Sequence, residues 1–267
     1  MALIRIDDPD DPRIAGFRDI KERDLTGRQG LFVAEGEVVL NVLTSPQSLC
    51  RPIALLLDRK RVEGLAEMVA RVPEEVPVYV ADQPILDAIA GFHLHRGILA
   101  LGRKPGPVTL EAQLAPLAPE AVVVAACGIG NHDNMGGLFR NAAAFGAGAV
   151  LLDAHCCDPF YRKAIRVSVG AVLRTPMVTG LDALALVDGL KAAGFDVLAL
   201  TPGASEPLER VPRGGRIAIL LGPEGPGLLP AVIERCRPVG IPMSGGFDSL
   251  NVSVASGIAL HHFTQRA

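Results

Sequence analysis

The sequence predicts an α/β protein in two parts, the second holding a parallel sheet covered on both faces. Three observations carry this. Short apolar runs alternate with helix-like stretches along most of the chain, and such alternation marks α/β architecture. In the second half the apolar runs are continuous, as in VVVAAC at 122–127 and RIAILLG at 216–222, the pattern of strands buried on both faces of a parallel sheet. Between the halves, RKPGPVTLEAQLAPLAPE at 103–120 carries four prolines and little periodicity. Proline lacks a backbone donor and resists helix and strand, so this stretch is expected to be a linker.

In chain order, LFVAE (31–35), IALLL (53–57), PVYV (77–80) and GILAL (97–101) read as short strands, with helices at 36–44, 61–71 and 82–90 between them. Beyond the linker, the strand 122–127 feeds a helix at 134–147, whose Met135, Leu138, Phe139 and Ala142 fall on one face at helical spacing. AVLL (149–152), DVLALT (196–201), RIAILLG (216–222) and RPVGIPM (237–243) read as further strands. A helix at 181–194 ends at Gly194, a residue suited to a helix stop. The last helix, 251–264, shows Val252, Val254, Ala255, Ile258, Ala259 and Leu260 on nearly every side, so it is expected to be buried all round.

A chain of 267 residues suits one large or two smaller domains. The domains expected are 1–102, the linker 103–120, and 121–267. The charged fraction of 21% and hydrophobic fraction of 49% are globular. No apolar run approaches the ~20 residues a bilayer needs. MALIRIDDPDDPRIAGF places acids where a signal peptide needs an apolar core. The expected setting is cytoplasmic, with no membrane contact. The net charge of −3 argues against a general nucleic-acid-coating protein. RNA contact must then come from local patches, either Arg13, Arg18, Lys21, Arg23 and Arg28 or Arg162, Lys163 and Arg166, and each is also readable as a solvated helix face. Five scattered cysteines without CxxC spacing argue against disulfides or zinc. His155-Cys156-Cys157-Asp158 is the one short cluster with metal-ligand chemistry, and adjacent side chains seldom converge on one ion; no metal is expected.

Three loops follow strand ends, where open α/β sheets bind ligands. GIGNHDNMGGLFR (128–140) imitates a dinucleotide fingerprint, with Gly128-x-Gly130 after a strand and Asp153 ending the next, but Asp133 stands at the third glycine position. An NAD-dependent oxidoreductase is the rival this leaves open. Asn134 reads locally as an N-cap. GPEGPGL (222–228) is a rigid turn holding one carboxylate, Glu224. MSGGFDSLNVSV (243–254) is a polar, glycine-rich entrance to an apolar helix.

Taken together, N-x-G-x-x-x-R-N-A-x-A-F-G from Asn134, L-G-P-E-G-x-G from Leu221 and I-P-M-x-G-x-x-x-S-L-N-V-S-V-A from Ile241 closely resemble the SpoU/TrmH family of RNA ribose methyltransferases, over about 121–264. Residues 28–102 are similar in size and position to the small α/β RNA-binding domain that many members carry in front. The resemblance implies a C-terminal trefoil-knotted parallel-sheet methyltransferase domain, preceded by that RNA-binding domain. It implies S-adenosylmethionine-dependent methylation of a ribose 2′-hydroxyl in tRNA or rRNA, by a homodimer. The implied catalytic residues are Arg140, Asn134, Glu224, Ser249 and Asn251. The implied cofactor-binding residues are Thr201, Gly222, Ile241 and Leu250. Arginine is almost always charged, so Arg140 is expected to hold the phosphate beside the target ribose, with Glu224, Ser249 and Asn251 orienting it. Family members often carry Asp-Pro where this chain has Asn131-His132, and Glu where it has Asp248. A catalytically inactive RNA-binding protein on the same fold is the remaining alternative.

Overall fold

The structure, a computed structural model, describes residues 3–18, 25–27, 29–90, 97–245 and 248–264. Its strands and α-helices run β1 (Leu3–Arg5), β2 (Leu31–Glu35), α1 (Glu37–Leu43), β3 (Arg51–Asp58), α2 (Ala66–Val69), β4 (Val78–Ala81), α3 (Gln83–Ala90) and β5 (Ile98–Arg103). They continue as α4 (Leu110–Leu114), β6 (Val122–Ala126), α5 (His132–Ala144), β7 (Val150–Asp153), α6 (Arg162–Val167), β8 (Met177–Leu181) and α7 (Ala183–Ala192). The chain ends with β9 (Phe195–Leu200), β10 (Arg216–Leu221), α8 (Pro230–Ile233), β11 (Arg237–Val239) and α9 (Val252–Thr264).

Two compact units result: Met1–Pro105 with Asp158–Arg174, and Gly106–Cys157 with Thr175–Ala267. The first unit holds a five-stranded sheet in the order β1-β4-β3-β5-β2. β1 and β4 run parallel, as do β3 and β4, while β5 lies antiparallel to both β2 and β3. One face carries Leu56, Tyr79, Leu99 and Leu101 against Ile6, Ile14, Phe17 and Leu86. At Gly102 even a methyl group would lie 2.3 Å from the Phe32 ring, so only glycine lets this buried aromatic cross the strand.

The excursion 158–174 belongs to this first unit, whereas one continuous domain over 121–267 was expected. Asp158 pairs with Lys104, whose ammonium lies 4.9 Å from the Phe160 ring centre, and Phe160 stacks at a tilt on Phe32, 5.3 Å between centroids. Gly170, at φ +83°, lies against Val42, and the Leu49 amide donates to the Leu173 carbonyl at 2.8 Å. These anchors are distant in sequence, which is why the sequence pattern does not betray them.

The second unit is a six-stranded, all-parallel sheet in the order β11-β9-β10-β6-β7-β8. Its four inner strands are mostly buried, β6 and β7 completely, as continuous apolar runs require, while the edge strands β8 and β11 are largely open. The order reverses between β6 and β10, so the loops following these strands open at the same sheet edge; such a switch point is where open α/β sheets take ligands. Three differences from the sequence expectation stand out. β8 was not anticipated, because MVTGL has one fully buried residue and exposed neighbours. Asn131, not Asn134, caps α5: its side chain accepts from the Asp133 amide at 2.7 Å. The proline-rich segment is not a bare linker, since Thr109 caps α4 and Leu110 and Leu114 are buried in the second unit's core.

This last difference yields a measurable outcome. Leu114→Ala removes a buried side chain and should lower stability by about 2–5 kcal/mol, read from urea unfolding. A loss within about 0.5 kcal/mol, as at a solvated surface position, would return the segment to a linker.

Candidate functional site

A cavity of about 390 Å³ lies at the C-terminal ends of β9, β10 and β11, within the range typical of small-molecule sites. Thr201, Gly222, Ile241 and Leu250, the four residues expected around a bound small molecule, all line it. Glu224, Ser249 and Asn251 line it as well. The wall is shaped by glycines in the loop after β10. A Cβ at Gly222 would lie 2.6 Å from the Leu228 nitrogen and 2.8 Å from the Gly227 carbonyl carbon, so the loop folds back onto its own start at a distance no other residue permits. Gly225 and Gly227 then take φ of +86° and +68°, backbone positions that glycine reaches without steric cost.

Asn251 organises the mouth of this cavity. Its side-chain amide donates to Asn134 Oδ1 at 2.8 Å and to Glu224 Oε1 at 2.9 Å. Its Oδ1 accepts from the Ser253 amide at 2.9 Å and the Ser253 hydroxyl at 2.6 Å, and from the Val254 amide at 3.4 Å, which caps α9. One side chain thus joins α5, the loop after β10 and the start of α9. Asn134 is buried three residues inside α5's cap, so its role is to receive this bond rather than to begin the helix.

The contact between α5 and α9 holds the arrangement in register. Asn141 Nδ2 donates to the Ser253 carbonyl at 2.6 Å and to Ser256 Oγ at 3.0 Å. A methyl at Gly137 would come within 2.6 Å of Ser253 Cβ, so the helices touch at small residues. Asn141 was quoted in the sequence motif but given no role there; its signal was its place seven residues after Asn134, on the same face of the helix.

Two expected site residues stand apart from this network. Ser249 lines the cavity but donates to Asp248 Oδ1 at 3.2 Å, and both are exposed. Arg140 is exposed and makes no side-chain bond among the described residues; within the single chain, Glu224, Ser249 and Asn251 do not orient it. α9 also departs from expectation. Val254 and Ile258 are 50% and 40% exposed, an apolar pair at i and i+4 on the free side of the helix.

The rival readings fare differently. Asp153 is buried, and its Oδ1 accepts from the Gly128 amide at 2.9 Å and the His155 amide at 3.1 Å. It tethers two loops instead of presenting a carboxylate to a dinucleotide ribose. Burial pushes the Cys127 thiol up to about 12 and raises that of Cys156 as well, so both stay protonated near neutrality. Cys156 is occupied with the Ile129 amide and the Ala126 carbonyl. No group of three metal-ligating side chains is assembled among the described residues. Of the first basic stretch, Arg13 pairs with Asp11 and Arg18 with Asp10; Lys21, Arg23 and Arg28 lie outside the described residues. Arg166 of the second is exposed. No described helix is long and apolar enough to cross a membrane.

Comparison with known proteins follows the same lines. Residues 121–261 match the SpoU rRNA Methylase family. An uncharacterized tRNA/rRNA methyltransferase of Mycobacterium tuberculosis is 37% identical over 269 residues, 97% of this chain and 90% of that protein. Another, from Mycobacterium avium, is 31% identical over 209 residues, 76% of this chain and 67% of its own length. An AdoMet-bound rRNA methyltransferase from Sinorhizobium meliloti superposes with a TM-score of 0.78 at 23% identity, over 97% of each chain. An RNA 2′-O ribose methyltransferase superposes with a TM-score of 0.74 at 26% identity, over 98% of this chain and 97% of its own.

The two duties of Asn251 are separable. Asn251→Ala should lower stability by roughly 1–2 kcal/mol, as a lost cap does. Asn251→Ser keeps a capping oxygen and should recover most of that in thermal melts, while leaving Asn134 and Glu224 unbridged. Equal losses in the two variants would contradict the capping role.

Proposed function

Since the chain belongs to the SpoU rRNA Methylase family, we propose that it transfers a methyl group from S-adenosylmethionine to a ribose 2′-hydroxyl of tRNA or rRNA. The observation that carries this reading is the cavity bordered by Thr201, Gly222, Ile241 and Leu250, with the Asn134–Asn251–Glu224 cluster at its mouth.

The cavity fits the proposed donor. Its wall combines apolar side chains, among them Leu200, Leu221, Leu228 and Met243, with the backbone of two glycine-bearing loops. That surface suits a flat adenine and leaves backbone groups to hydrogen-bond its edge. When bound, the donor supplies an already activated methyl on a sulfonium. The remaining task falls to the protein: position the ribose hydroxyl and let its proton leave during attack.

Arg140 is the residue for that task. A guanidinium presents a planar pair of donors that match a phosphate. Holding the phosphate beside the target ribose would fix the hydroxyl and polarise it, with that phosphate or a water accepting the proton. Arg140 is exposed and outside the bonded cluster of its own chain, and Val254 and Ile258 on α9 are uncovered. Both features are accounted for by a homodimer sealed along α9, in which Arg140 works at a site completed by the second copy. The N-terminal unit serves in this reading as the RNA-binding domain.

Gly222→Val should abolish donor binding in calorimetry, because the added atoms collide with backbone. Arg140→Ala should leave the melt, the dimer and donor affinity unchanged, yet cost roughly 10²–10³ in single-turnover methylation at saturating RNA, the usual loss for one well-placed transition-state donor. Arg140→Lys should rescue poorly, since an ammonium lacks the two-pronged geometry. A folded, dimeric Arg140→Ala protein with near wild-type turnover would remove Arg140 from the mechanism.

A further inference from the structure

The N-terminal unit contains an electrostatic conflict that its own fold does not resolve. Antiparallel pairing of β3 and β5 sets Arg51 directly opposite Arg103, at one end of the sheet. Directly opposite residues share a sheet face with Cβ atoms about 4.5–5.5 Å apart, and like charges there are destabilising. Both arginines are exposed, and neither side chain has an ion pair or hydrogen bond among the described residues.

The surroundings do not relieve them. Lys104 follows directly, and Asp158 is already engaged by its ammonium. Arg174 is tied near Arg51 through the backbone: the Leu173 carbonyl before it accepts from the Leu49 amide at 2.8 Å, two residues before Arg51. Arg174 is also exposed and without a partner among the described residues. Four other arginines of this unit show the ordinary arrangement: Arg5 pairs with Asp7, Arg13 with Asp11, Arg59 with Asp82 and Arg61 with Glu37. The whole chain carries a net charge of −3, so an unneutralised cationic cluster stands out against it.

We propose that Arg51, Arg103 and Arg174 form a phosphate grip that holds the backbone of the substrate RNA on the N-terminal unit. This rests on the RNA methyltransferase reading above and adds to it a surface remote in sequence from every motif residue. Side-by-side guanidinium groups match successive phosphate oxygens with paired hydrogen bonds. Such contacts set register and orientation while reading no sequence. The repulsion tolerated in the free protein is relieved when the RNA supplies the missing anions.

The test uses the full-length chain with Arg51→Ala, Arg103→Ala and Arg174→Ala combined, and a second version with lysine at all three positions. Equilibrium binding of total tRNA and rRNA is measured across a salt series, beside methylation and a thermal melt. The alanine variant should bind RNA about tenfold or more weakly at ~100 mM salt. The slope of log affinity against log salt should fall by about 2–3, roughly 0.7–0.9 per lost phosphate contact. KM for RNA should rise while kcat at saturating RNA and donor affinity hold, and the melting temperature should stay or increase. The lysine variant should keep the salt slope. Unchanged affinity and slope in the alanine variant would overturn the grip while methylation by the wild type still upheld the enzymatic reading. Wild-type RNA binding without methylation, lost in the alanine variant, would support the grip and sink the enzymatic reading. Absence of RNA binding by the wild type would overturn both.

Discussion

The side-chain amide of Asn251 is the junction on which the site depends. It uses both N–H groups and its oxygen at once, joining residues 117 and 27 positions away while capping the helix that follows it. Such a bridge is possible only if α5 and α9 approach closely and in fixed register. Gly137 provides the close approach, and Asn141 provides the register through its bonds to Ser253 and Ser256. The polar residues before α9 therefore do more than start a helix. They fasten the last loop of the chain over a cavity whose other walls come from β9 and β10.

The parallel sheet makes this convergence possible. The strand order reverses between β6 and β10, which brings the loop leading to Asn134 beside the loop holding Glu224. Gly128, at φ +65°, places its α-carbon where a Cβ would meet the Pro223 ring at 3.3 Å. Asp153 ties the same loop back to the end of β7. The loops around the cavity are thus held by buried strands and by backbone-directed hydrogen bonds.

Much of this was legible in the sequence. The continuous apolar runs gave the buried strands of the second unit to within a few residues, because a strand buried on both faces leaves a pattern that depends on its own residues alone. The four cavity residues and Asn134, Glu224 and Asn251 were implied by the family resemblance that the three motifs carry. What was missed depends on partners far away. β1 has only three residues and exists because β4 pairs with it. The helix at Leu110–Leu114 hides in a proline-rich stretch because its two buried leucines declare themselves only against the core they join. The docking of 158–174 rests on Lys104 and Phe32, and the opposition of Arg51 and Arg103 rests on strand register. The free face of α9 was read as buried because composition reports that a surface is apolar, not which chain covers it.

The central claim is that the assembled site delivers a methyl group to a ribose oxygen of RNA. Alkali cleaves RNA through attack by the free 2′-hydroxyl, so a methyl on that oxygen protects the adjoining linkage. The direct measurement is to incubate the purified protein with methyl-labelled S-adenosylmethionine and total tRNA and rRNA, hydrolyse the product in alkali, and separate the fragments. The account predicts label in alkali-resistant dinucleotides. Label confined to mononucleotides, which would place the methyl on a base, or no transfer to any RNA, would contradict it.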